Sequence, residues 1–199
     1  MLYFTSDQHF GHTNIIKYTK RPFEYSQTGM IDCARFMYDS YQQIVKEDDV
    51  VVFLGDLALI RGCDKDIFCD MFRSLKGTKL LLWGNHDSLP LSYYKKSGFK
   101  DIRDYHIIGQ HFICHYPCVS SGTPKERLCK NAFDQSECSE IWHGHIHEKH
   151  SPTFDGIKRH NMCVDYAPNG FKPVLITEPD LQEYFYQRSE EHTSELQSR

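Results

Sequence analysis

Five short apolar runs in this chain end in the same way, on carboxylate, amide or imidazole side chains. Leu2–Phe4 leads into Thr5-Ser-Asp7-Gln-His9, and Val50–Leu54 into Gly55-Asp56. Leu80–Trp83 leads into Gly84-Asn85-His86-Asp87, Phe112–Cys114 into His115, and Ile141–His143 into Gly144-His145-Ile-His147. Runs this short, rich in β-branched and aromatic residues, suit buried strands. Ligand-type residues just past a strand's C-terminal end suit the edge where open α/β sheets bind ligands. In extended chain, positions i and i+2 point the same way, so Asp7 with His9, and His145 with His147, can each present two groups to one site. Glycine before Asp56, Asn85 and His145 permits a sharp turn and a close backbone approach.

Strands are expected at Leu2–Thr5, Val50–Leu54, Lys79–Trp83, His111–Cys114, Glu140–Trp142, Met162–Val164 and Pro173–Thr177. Ile107-Ile-Gly-Gln-His111 reads as a tight hairpin connection. Helical periods fall between the runs. Ile67, Phe68, Met71, Phe72 and Leu75 form one stripe, with Asp64 or Asp66 as N-cap. Ala34, Tyr38, Tyr41, Ile44 and Val45 form a second stripe, and Leu91–Lys96 is a weaker third helix stopped by Gly98. Strand–helix alternation argues an α/β domain, and the late strands, which lack long helices between them, argue that part of the sheet is antiparallel or mixed. Residues 116–139 show no clear period and read as a long loop, a candidate substrate-facing insertion. The aromatic run Tyr184-Phe-Tyr186 reads as a docking edge rather than a ligand platform.

The 199 residues suffice for one domain with a sizeable core. A formal net charge of −4 gives no global basic character, which disfavours a nucleic-acid partner. No apolar run reaches membrane-spanning length, and the start lacks a signal-peptide pattern, so the expectation is a cytoplasmic protein with no membrane partner. The eight cysteines (33, 63, 69, 114, 118, 129, 138 and 163) make no C-x-x-C pair and are read as reduced thiols. Residues 188–198 match the in-frame translation of a common short-read sequencing adapter. The native domain is therefore read as 1–187, with 188–199 and its His192 set aside.

The ordered blocks D-x-H, G-D, G-N-H-[DE], H and G-H-x-H resemble the calcineurin-like metallophosphoesterase family. All five are present between Asp7 and His147. The opening Phe4-Thr-Ser-Asp-Gln-His-Phe-Gly-His-Thr-Asn-Ile-Ile16, Asn161-Met-Cys-Val-Asp165 and Pro173-Val resemble a small bacterial and phage subgroup of it. The resemblance implies a β-sandwich of mixed sheets flanked by helices, with the active site at strand C-terminal ends. It implies that Asp7, His9 and His147 hold one divalent metal, that Asn85, His115 and His145 hold a second, and that Asp56 bridges them. His86 falls where the family places a catalytic histidine.

A donor set of carboxylate, amide and imidazole without thiolate suits Mn, Fe, Zn, Ni or Co better than Ca, Mg or an iron–sulfur cluster. Manganese is the expected metal. The implied reaction is hydrolysis of a phosphate mono- or diester by a water activated between two metals, with His86 stabilising charge or protonating the leaving group. Two other readings stand beside it: a nuclease acting on DNA or RNA, and a metal-bound interaction module without turnover.

Several neighbouring residues are open to two readings. Asp87 either tunes His86 or caps a turn. His12 and Asn14 either touch substrate or make local hydrogen bonds, the second being favoured. His143 either supports a ligand or faces the sheet. Lys17, Lys20, Arg21 and Arg61 read as solvated surface rather than as a phosphate lure. His106, His111, His150 and His160 read as surface or structural.

Overall fold

The computed structural model describes residues 1–60, 65–153 and 155–197, the last seven by backbone alone. Arg61, Cys63, Asp64 and the His192 side chain lie outside the described residues.

Among the described residues, nine strands form two sheets. The first, in the order β4-β3-β2-β1-β9, contains β1 (Leu2–Thr5), β2 (Val50–Phe53), β3 (Thr78–Leu82), β4 (Phe99–Arg103) and β9 (Val174–Ile176). β1 to β4 run parallel, and β9 closes the edge antiparallel to β1. The second, in the order β5-β6-β7-β8, contains β5 (Tyr105–Ile108), β6 (His111–Cys114), β7 (Glu140–His143) and β8 (Lys158–Asn161). Only β5 is antiparallel there, turning into β6 at Gly109-Gln110 with Ile108 paired to His111, as the hairpin reading expected.

Residue parity explains how the layers stack, because alternate side chains leave a strand on opposite faces. Leu2, Phe4, Val50, Val52, Leu80 and Leu82 point inward to meet Ile113 and Trp142 of the second sheet. Their alternates Tyr3, Val51, Phe53 and Leu81 point outward and are covered by helices α2 (Gln27–Ile44), α3 (Lys65–Ser74) and α4 (Leu91–Lys96). The outer face of the second sheet, Phe112, Cys114 and Ile141, is covered by α5 (Pro124–Asp134). Both faces of the central strands are therefore dry, which is why their sequences are apolar without alternation. A short helix α1 (Asn14–Tyr18) follows the first ligand block. Helix α6 (Pro179–Gln197) seals the sandwich by inserting Leu181 and Phe185 between the sheets, so the aromatic run is a docking edge. No described helix is long and apolar enough to cross a membrane.

Four expectations need correction. The stretch 116–139 is not one loop, because α5 occupies its centre. Its start is a complete capping box: Thr123 Oγ1 accepts from Glu126 N at 3.1 Å, Glu126 Oε2 accepts from Thr123 N at 3.3 Å, and Pro124 stands at the first helical position. The strand expected at Met162–Val164 is β8, placed earlier at Lys158–Asn161. The apolar trio is instead the crossing point between sheets, where Cys163 makes a single bridge to Ser6. In α3, Ile67 is 70% exposed, because Cys69 and Phe72 face the core and turn the stripe away from it. In α2 the buried face runs through Met30, Cys33, Met37 and Tyr41, leaving Ala34, Tyr38 and Ile44 at its border. β4 was not anticipated; it is an edge strand with charged residues between its apolar ones.

Candidate metal centre

The five ligand blocks meet at one edge of the sandwich, laced together by backbone hydrogen bonds. Asp7 N donates to Gly55 O and His9 N to Asp56 O, each at 3.0 Å, and Val164 N donates to Ser6 O at 3.0 Å. Asp7 (φ 63°), His9 (φ 53°), Asp56 (φ 52°), His145 (φ 73°) and His147 (φ 54°) are all in the left-handed region. Non-glycine residues there carry a local cost, and such strain concentrates at functional sites. The glycines between them are required by crowding. A Cβ on Gly84 would overlap Asp56 Oδ1 and the Asp56 backbone nitrogen, and one on Gly144 would overlap Ser6 Oγ and Asp7 Oδ2.

The carboxylates are each held by one oxygen and presented by the other. Asp7 Oδ2 accepts from Ser6 Oγ at 2.5 Å, from His145 N at 2.9 Å and from Cys163 Sγ at 3.1 Å. Its Oδ1 is buried without a hydrogen-bond partner among the described residues, as is Nε2 of His9. Asp56 Oδ1 accepts from His86 N at 2.8 Å. Asp56 Oδ2 lies between His9 Nε2 at 3.5 Å and His115 Nε2 at 3.4 Å.

The imidazoles are oriented in the same sense. His115 Nδ1 lies 2.8 Å from Leu54 O, and His147 Nδ1 lies 2.8 Å from the carboxylate of Asp165. Both acceptors require the proton on Nδ1, so Nε2 turns a lone pair toward the cluster. His147 Nε2 then lies 3.8 Å from Asp7 Oδ1. Around His115 Nε2 stand Asn85 Oδ1 and His145 Nδ1, each at 3.2 Å. Three sets of ligand atoms lie within 4.8 Å of one another: Asp7, His9 and His147; His9, Asp56 and His86; and Asp56, His115 and His145. Thus all seven residues read as ligands converge, and on geometry His86 also comes within reach of a cation. Orphaned buried acceptors facing one another are what a cation site requires, so the residues present fit divalent metal ions.

The electrostatics of the bare side chains follow from that convergence. Burial alone would raise Asp7, but the charges of His115, His9 and His147 outweigh it and hold its carboxyl well below the usual range. Asp56 is likewise pushed up by burial and pulled down more strongly by His115, to about 2. Burial opposes charge on His115, yet Asp56 and Asp7 raise it to about 10. Burial, His9 and His86 lower His12 to about 4. A proton on His115 thus occupies a place that a cation would take.

The surrounding residues resolve the open readings. Asp87 neither caps nor contacts His86. Its Oδ2 accepts from Asp56 N at 2.8 Å and Gly84 N at 2.9 Å, and its Oδ1 from Leu57 N at 3.0 Å, which ties two ligand loops together. Burial, and next the charge of Asp56, raise it to about 6. His143 is buried, between Gly144 O at 2.7 Å and Ser151 Oγ at 2.9 Å. Asn14 is turned away from the site and accepts from Tyr25 at 2.8 Å. Lys17 and Lys20 are exposed, and His150 is too. His106 and His111 are buried and His160 half-buried, all remote from the ligands.

Arg21 is the clear departure from a solvated surface. It is buried, donates Nη2 to Asp7 O and Nη1 to Gln8 O at 2.8 Å each, and pairs through Nε with Asp165 Oδ1 at 2.7 Å. Arg21 Nη2 also donates to Asp165 Oδ2 at 2.9 Å, so Arg21 grips both carboxylate oxygens and Oδ2 is shared with His147 Nδ1. Sequence reasoning assigned Asp165 no role, although it closes the Asn161–Asp165 block. A cleft of about 370 Å³ opens over the ligand edge, lined in part by His12, Tyr18, His86, His145, His147 and Lys149. Residues 116–139 do not line it. They reach the site from the side, where Lys125 Nζ donates to Gly84 O at 3.1 Å.

The description calcineurin-like phosphoesterase matches residues 2–184. An uncharacterized protein of Methanocaldococcus jannaschii, MJ1445, is 31% identical over 177 residues, covering 88% of this chain and 86% of that one. A crystal structure of an Aquifex aeolicus protein of unknown function, AQ665, superposes with a TM-score of 0.67 at 26% identity, covering 92% of this chain and 98% of that one.

Proposed function

The chain belongs to the calcineurin-like phosphoesterase family, whose members hydrolyse phosphoesters with metal ions, and from that premise we propose a two-metal hydrolase of phosphate mono- or diesters. One observation supports this above all: Asp56 Oδ2 stands between the lone-pair faces of His9 and His115, with the unsatisfied Asp7 Oδ1 beside it. In this reading Asp7, His9 and His147 would hold one cation, Asn85, His115 and His145 would hold the other, and Asp56 would serve both. Divalent cations, manganese first among them, would neutralise phosphoryl charge and supply a water-derived nucleophile at neutral pH.

The protein's own part is orientation. Asp165, Leu54 and the three donors on Asp7 Oδ2 hold the ligand atoms in one alignment, which spares reorganisation during the reaction. His86 is anchored by its backbone bond to Asp56 and lines the cleft, where its ring can donate to a phosphoryl or leaving-group oxygen. The reading extends to a cytoplasmic location and to residues 188–199 as an adapter translation, which resequencing the DNA across codon 188 would check.

The deciding experiment is an assay of the Mn²⁺-loaded protein on generic mono- and diesters. His86→Ala should lower kcat by roughly 10²- to 10⁴-fold with metal still bound. Asp56→Asn should lose both metal affinity and turnover. Unchanged turnover in either variant removes the mechanism, and metal binding with no turnover by the unaltered chain favours an interaction module.

A further inference from the structure

One imidazole in the cleft has no part in the scheme above. His12 follows the first ligand block, is half-buried, and places its Nδ1 3.3 Å from Nδ1 of His9. Two nitrogens at that distance share one proton, and the rest of the site decides where it sits. His9 Nε2 faces Asp56 Oδ2 at 3.5 Å and Asp7 Oδ1 at 3.8 Å, with no hydrogen-bond partner among the described residues. To serve as a ligand it must present a lone pair there, so its proton sits on Nδ1 and is donated to His12. Accepting at Nδ1, a neutral His12 carries its own proton on Nε2. Among the described residues no side chain or carbonyl accepts that proton. The ring lines the same cleft as His86, with centroids 5.6 Å apart.

We propose that His12 contacts the substrate: its Nε2–H donates to a phosphoryl oxygen of the ester beside His86, while its Nδ1 fixes the tautomer of His9. This rests on the phosphoesterase reading and adds a second donor to it. A donor without charge suits this position, because the cations already supply the positive field and a further cation beside His9 would repel them. Direct contact would also make His12 a determinant of phosphate affinity, separate from its contact with His9.

The two ring nitrogens can be tested apart. In His12→Asn the amide oxygen can replace Nδ1 as acceptor from His9, while nothing replaces the Nε2 donor. Calorimetry should find Mn²⁺ affinity within about threefold of the unaltered protein, and affinity of the Mn²⁺-loaded variant for inorganic phosphate lower by roughly ten- to a hundredfold, the loss expected for one hydrogen bond to a charged group. The value of kcat/KM should fall by a similar factor. Unchanged phosphate affinity overturns the proposal, and so does an equal loss of metal and phosphate binding, which would make His12 a positioning residue alone. A measurement independent of folding of the variant is the ¹⁵N imidazole spectrum of the Zn²⁺-loaded unaltered protein. It should show His12 as the Nε2–H tautomer; the Nδ1–H form overturns the assignment. Should the unaltered protein take up no metal, this proposal and the phosphoesterase reading fall together, whereas normal metal uptake with a silent His12→Asn removes this one alone.

Discussion

Strands β6 and β7 each carry polar groups at both ends, and the two ends differ in kind. At the start, Trp142 Nε1–H donates to His111 Nδ1 at 3.2 Å, His111 Nε2 lies 3.3 Å from Asp180, and His160 Nε2 lies 3.0 Å from Glu140. Trp142 stacks on His160 with centroids 3.8 Å apart. Each of these contacts sets a donor against an acceptor. Past the end, His115 and His145 point nitrogen at nitrogen and carboxylate, and Asp7 Oδ1 and His9 Nε2 meet no donor among the described residues. Histidine clustering is common to both ends. The pairing of lone pairs with protons separates a structural cluster, which is complete, from a ligand set, which needs a positive charge to complete it.

The sharpest test of that contrast substitutes a histidine at each end of one strand. His115→Ala should reduce turnover by roughly 10²- to 10³-fold or more and weaken Mn²⁺ binding. His111→Ala should leave both unchanged and lower stability by about 1–3 kcal/mol, because the Trp142 N–H loses its acceptor. Equal effects of the two on metal binding would erase the distinction.

Next in size is Asp165→Asn, which keeps the shape but removes the charge that orients His147 and pairs with Arg21. Metal affinity, measured by competition with a chelator, should fall roughly 10- to 100-fold. Full affinity would show that His147 is held by packing alone.

The pH response should separate the metal-free from the metal-loaded form of the ligand end. The metal-free protein holds His115 at about 10, against 6.5 ordinarily. A raised folded value means that the stabilisation is complete below about 6.5 and lost as pH climbs through 10. Urea midpoints of the chelated protein should therefore decline from pH 7 to 10, while loaded protein, with a cation in the proton's place, declines less. Parallel curves would contradict the account of the site.

The smallest effect belongs to the satisfied end. Lys158→Ala removes an exposed partner of Glu140, 3.2 Å away, and should change stability by no more than about 1 kcal/mol with no change in metal affinity.

Much of this molecule is local information. Apolar runs, the Gly109-Gln110 hairpin and the polar residues past each strand end are all visible within a few neighbouring positions, because strand formation and turn chemistry depend on neighbours. Helix α5 is equally local, since Thr123-Pro-Lys-Glu126 spells a capping box at its start. The Met162–Val164 trio misleads for a different reason: burial at a sheet crossing makes a segment apolar whether or not it is a strand.

The amino-acid order alone determined which residue types stand at the C-terminal edge of the strands and that both faces of the central strands are dry. Tertiary structure decided which lone pairs face each other, that Arg21 is an internal strut rather than a surface charge, that Asp165 completes His147, and which proton His12 keeps. The largest of those outcomes join groups far apart in the chain, Arg21 with Asp165 by 144 residues and Asp7 with His145 by 138. Hydrogen-bond direction and burial at such a meeting arise only when separate loops are packed together, so no neighbouring residues in the sequence carry them.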